Sequence, residues 1–143
     1  MAKLRTLLFA LLALLASTSV LAEVVVVVGA GSGIKALKQD EVINIFLGRY
    51  RKLPSGVLAR PYDLPAGDEL RTAFYRKLVD KNPAEISAYW ARLYFSGKTK
   101  PPEVSASVQE LIKAVATVEG AIGYVERSQV DERVRIVLPL GNP

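Results

Sequence analysis

Pro65-Ala66-Gly67-Asp68-Glu69-Leu70-Arg71 holds residue types that could bind an anion. A glycine turn there leads out of a strand-like run and into an amphipathic helix. The first amides of a helix lack intrahelical partners and sit at the positive end of its dipole, so they attract anionic oxygens. Arg71, one turn into the helix, would add a positive charge. The same residues support a plainer chemistry. Asp is among the preferred N-cap residues, and its carboxylate would take the amides that an anion needs. Asp68 and Glu69 would each also repel an anion by about 1 kcal/mol or more at an effective dielectric of 20–80. Anion site and self-capped turn both remain open.

A second glycine turn, Gly29-Ala30-Gly31-Ser32-Gly33-Ile34, follows a hydrophobic strand and invites a dinucleotide-binding reading. Ile34 stands where G-x-G-x-x-G needs a small residue. About twenty residues on, the chain offers Arg49 and Arg51 rather than an acid for the ribose. The glycines then simply turn the chain, or Ser32 and Gly33 line the strand-end crevice that holds Gly67. On the binding reading the anion residues are Ser32, Gly33, Gly67, Asp68 and Arg71.

The chain of 143 residues has no histidine and no cysteine. Their absence removes Ser-His-Asp and thiol catalysis, disulfides and the usual zinc sites. No carboxylate pair has a spacing that demands acid–base work. A non-enzyme with no metal and no cofactor is expected. Basic residues are densest at Arg49, Arg51, Lys52 and Arg60, most simply a solvated face, otherwise a surface that favours anions or an acidic partner. They form no aromatic-interleaved stripe, so nucleic acid is not an expected partner. Tyr89, Trp90, Tyr94 and Phe95 cluster at helical spacing: Trp90 with Tyr89 or Leu93 as core, Tyr94 and Phe95 as a candidate partner surface.

These residues must be carried by a small set of elements. Lys3 and Arg5, the apolar run Leu7 to Ala16 and the small-residue site Val20-Leu21-Ala22 predict a secretory signal peptide over 1–22, cut after Ala22. Residues 23–143 then form one domain, periplasmic and not membrane-embedded; an exported chain without cysteine suits that compartment. Val24 to Val28 predicts a strand buried on both faces. Helices are predicted over Gln39 to Leu47, over Asp68 to Val79, after the Asn82-Pro83-Ala84-Glu85 start signal, and around Val108, Leu111, Ile112 and Val115 with Ser105 or Ser107 as cap. Further strands are predicted at Val57 to Tyr62, Gly120 to Val125 and Val134 to Leu138. The order β-α-β-α-α-α-β-β predicts an α/β fold with a mixed central sheet flanked by helices.

Five ordered pieces carry a family resemblance: Leu37 to Gly48, Leu64 to Tyr75, Tyr89 to Lys98, Pro101-Pro102, and Gly120-Ala121-Ile122-Gly123-Tyr124-Val125. Together the chain resembles the phosphate ABC transporter substrate-binding proteins, in a short branch with a single lobe of the type II periplasmic-binding-protein-like fold. In larger relatives the glycine turn reads like Gly-Ser-Gly-Thr, with hydroxyls and amides facing phosphate. Here the glycine falls on Gly67, the serine on Asp68, the second glycine on Glu69 and the threonine on Leu70. The resemblance implies a binding module for phosphate or another oxyanion, associated with an ABC transporter; a homodimer could rebuild a two-sided cleft. The alternative is a periplasmic protein-interaction or accessory domain that has lost the ligand.

Overall fold

Five consecutive valines, Val24 to Val28, are each at most 1% exposed. Such a run must be covered on both faces, and the chain places it inside a sheet. The structure, a computed structural model, describes residues 23–141. The leader expected over 1–22 lies outside the described residues.

Strand β1 (Val24–Gly29) pairs antiparallel with β4 (Ala121–Glu126) on one side and β5 (Val134–Pro139) on the other. Strand β2 (Arg60–Asp63) runs parallel to β4, and β3 (Glu103–Val104) runs parallel to β2. The five-stranded mixed sheet has the order β3-β2-β4-β1-β5, with β1 alone reversed. The α/β fold with a mixed central sheet is as expected from the pattern of elements.

Helices α1 (Gln39–Phe46), α2 (Glu69–Val79), α3 (Pro83–Ser96) and α4 (Val108–Thr117) complete the fold. Neighbouring side chains on a strand point to opposite faces. Tyr124 stacks on Phe74 of α2, rings 3.8 Å apart and nearly parallel, and Phe74 meets Phe46 of α1 edge-on at 4.8 Å. Gly123, the preceding residue, faces Leu111 and Val115 of α4. The sheet is therefore covered by α1 and α2 on one face and by α4 on the other. Among the described residues no helix is long and apolar enough to cross a membrane.

Three details differ from the sequence reading. The strand expected from Val57 starts only at Arg60, because Leu53 and Lys52 pair back onto Val57 and Leu58 across the Pro54-Ser55-Gly56 turn. Strand β3 was not expected at all: two residues have no period to read. Ser107, not Ser105, caps α4, accepting from the Glu110 amide at 3.2 Å, while the backbone of buried Ser105 bonds to the Asp63 carbonyl.

Candidate anion site at the turn after β2

Strand β2 ends at Asp63 because Leu64-Pro65 begins a turn, closed by the Asp68 amide on the Pro65 carbonyl at 3.1 Å. Gly67 holds φ +92 in that turn, a left-handed geometry that a side chain would strain. Asp68 follows in extended conformation as the N-cap of α2. Its Oδ1 accepts the Leu70 amide at 2.8 Å and the Arg71 amide at 3.2 Å. The carboxylate thus occupies two of the amides that an oxyanion would use.

Arg71 is also committed. Its Nε lies 3.3 Å from Asp63 Oδ2, its guanidinium sits 5.0 Å from the Tyr75 ring centre, and its side chain is only 11% exposed. Asp63 is the centre of the arrangement and is itself buried. Its Oδ1 accepts the Leu64 amide at 2.8 Å and the Tyr124 hydroxyl; its Oδ2 accepts the Tyr75 hydroxyl at 2.7 Å and Arg71. The Leu64 amide is shared with the Tyr124 oxygen at 3.1 Å. Four donors on one carboxylate satisfy a charge that would otherwise be costly to bury.

Burial pushes both the Tyr75 and the Tyr124 phenols well above their ordinary range, and the adjacent Asp63 charge pushes in the same direction. Both therefore stay protonated and act as donors. The network ties the end of β2 to α2 and to the middle of β4. It locks the turn to the sheet and to the helix.

Ser32 and Gly33 lie elsewhere. Val28 of β1 is level with Ile122, and Arg60 at the start of β2 is level with Ala121. The turn after β1 therefore leaves the sheet where β2 and β4 begin, and Gly67 follows the point where β2 ends. The common crevice of the binding reading does not form, because β1 runs opposite to β2. Ser32 Oγ instead accepts the Ile34 amide at 3.2 Å, and Ser32 borders a 260 Å³ cavity with Gly29, Leu53, Ser55 and the end of α4. Of the five sequence candidates, Gly67, Asp68 and Arg71 come together and Ser32 and Gly33 do not join them.

Sequence reasoning missed Asp63, Tyr75 and Tyr124. Asp63 reads as a turn residue, Tyr75 falls beside the Leu70-Phe74-Leu78 stripe, and Tyr124 reads as strand filling. Only their separations of 12 and 61 residues, closed by the fold, make a cluster.

No family model matches the chain, and no curated protein matches it. Several solved structures do. A protein from Clostridium perfringens, assigned as a phosphate ABC transporter substrate-binding protein and solved with bound phosphate, superposes with a TM-score of 0.65 at 18% identity, over 81% of this chain and 44% of its own. An ABC-type phosphate transport receptor from Vibrio cholerae gives 0.66 at 16% identity, over 81% and 45%. PstS from Borrelia burgdorferi gives 0.55 at 10%, over 81% and 46%.

The chain shares the fold of part of these substrate-binding proteins. It spans less than half the length of the solved substrate-binding proteins it matches. At these identities the likeness is one of fold, and Asp63, Asp68 and Arg71 have to be read on their own geometry.

Proposed function

We propose that this chain is a non-catalytic, periplasmic accessory module with a substrate-binding-protein lobe, which works through a protein partner and has given up the oxyanion. One observation carries the reading: the Asp68 carboxylate holds the Leu70 and Arg71 amides, at the turn where phosphate would otherwise meet the helix. The commitment of Arg71 to buried Asp63 supports it, since the nearest cation is already neutralised. A single lobe also encloses little of a ligand, and tight sites bury most of the ligand surface.

Titration calorimetry of the processed chain with phosphate and with sulfate tests this. No saturable heat at millimolar anion is expected. Saturable heat that Arg71→Ala weakens would overturn the accessory reading.

The second reading is oxyanion binding in ABC-type transport, with phosphate as the first candidate. It is favoured by the similarity to the Clostridium perfringens protein, whose structure contains phosphate. On this reading two copies would face each other to close a cleft. Light scattering with and without phosphate separates the cases: a phosphate-dependent dimer favours binding, and a monomer under both conditions counts against it.

A further inference from the structure

Two grooves adjoin on the surface formed by the end of α1, the loop after it and the approach to β3. One, of about 570 Å³, lies between α1 and the loop and is edged by Arg49, Arg51 and Lys52. The other, of about 590 Å³, lies between Leu58–Pro61 and Thr99–Glu103 and is edged by Arg51, Arg60 and Lys100. Ile45, Tyr50 and Arg51 line both, so the two form one trough.

Its chemistry is lopsided. Arg49, Arg51, Lys52, Arg60 and Lys100 line it, against the carboxylates of Glu41 and Glu103. None of the five cations forms an ion pair among the described residues. Between them stand Tyr50 and Leu58, 63% and 52% exposed, large apolar groups held in water. Arg51 Nη2 donates to the Lys98 carbonyl at 3.1 Å, fastening one wall to the other. The trough is far larger than a small oxyanion needs and is concave, whereas a lipid surface is flat. Five cations without a carboxylate partner among the described residues, set around exposed aromatic and aliphatic side chains, suit a chain of opposite charge with apolar side chains of its own.

We infer that this trough docks an extended acidic segment of a partner protein, with carboxylates toward Arg51, Arg60 and Lys100 and apolar side chains against Tyr50 and Leu58. The inference rests on the accessory reading above and names its surface.

The test uses the processed chain and a fluorescein-labelled peptide alternating glutamate and valine, with a lysine–valine peptide as control. The acidic peptide should give a saturable rise in anisotropy that weakens with salt, and the basic one none. Arg60→Glu with Lys100→Glu should weaken binding about tenfold or more. Leu58→Ser should weaken it without changing the salt dependence. Circular dichroism melting keeps a folding defect distinct from a binding defect. Equal binding of both peptides, indifference to these substitutions, or binding only to phosphatidylglycerol vesicles would overturn the inference. Saturable phosphate heat would overturn the accessory reading itself; a chain that binds neither phosphate nor acidic peptide would overturn the trough alone.

Discussion

Tyr124, in the middle of β4, donates its hydroxyl to the carboxylate of Asp63 at the end of β2, across 61 residues of chain. The same hydroxyl accepts from the Leu64 amide, so one phenol fixes both the last side chain of the strand and the first backbone of the turn. Its ring stacks on Phe74 of α2, which places the turn and its helix on the sheet together.

Removing that hydroxyl should therefore loosen the turn. Tyr124→Phe is expected to lower stability by about 1–3 kcal/mol, the usual cost of leaving buried polar partners unmade. Asp63→Ala should cost more, about 3–5 kcal/mol, because the nearly buried Arg71 then loses its counter-charge. Urea denaturation monitored by circular dichroism measures both, and a loss no larger for Asp63→Ala than for Tyr124→Phe would contradict the central role given to the carboxylate.

Alkaline pH should expose the same network. The Tyr75 and Tyr124 phenols hold their protons more tightly folded than unfolded. Their contribution is complete below the ordinary tyrosine value and is lost as pH rises above it. Above about pH 10 stability should fall as pH rises, the slope approaching about 1.4 kcal/mol per pH unit for each phenol that keeps its proton in the folded state. Tyr124→Phe should remove one share of that slope. Denaturation series at increasing pH read it directly, and a flat profile would refute the assignment.

At the cap, Asp68→Ala should destabilise α2 by about 1 kcal/mol, whereas Asp68→Ser, which retains a capping oxygen, should change stability by less than about 0.5 kcal/mol. Thermal melts of both variants, run with and without millimolar phosphate, check this. The parent and Asp68→Ser, in which an oxygen still holds the amides, should not shift with phosphate.

A fourth expectation concerns the start of β4. Gly120 has φ +78, and a Cβ there would meet the Leu58 carbonyl oxygen at 2.1 Å. Gly120→Ala combines backbone strain with a clash against main chain and should cost about 2–4 kcal/mol. A midpoint within experimental error of the parent would show that the Leu58 loop can move aside.

Much of the architecture was legible because it is written in local periodicity. The five valines of β1, all β-branched and short in run, read as a strand buried on both faces, and they are one. Asn82-Pro83-Ala84-Glu85 spells a helix start, and α3 begins at Pro83 with the reciprocal Asn82–Glu85 bonds in place. The elements that escaped are those without a period. Strand β3 has two residues, and Val57 and Leu58, though β-branched or aliphatic, were drawn into a local pairing by the Pro54-Ser55-Gly56 turn just before them.

By itself the sequence determined the helices and the longer strands, the caps at Asp68 and Asn82, and the exclusion of histidine and cysteine chemistry, since these depend on composition or on neighbours a few positions apart. It also named the turn at Gly67–Arg71 and both things that turn could be. Only the tertiary structure decided between the uses of its groups. The reversal of β1 sent Ser32 and Gly33 to the opposite end of the sheet, and the parallel pairing of β2 with β4 brought Tyr124 to Asp63. Which strands become neighbours, and in which direction, is settled by packing of the whole sheet across connections of many residues, which no local spacing in the chain encodes.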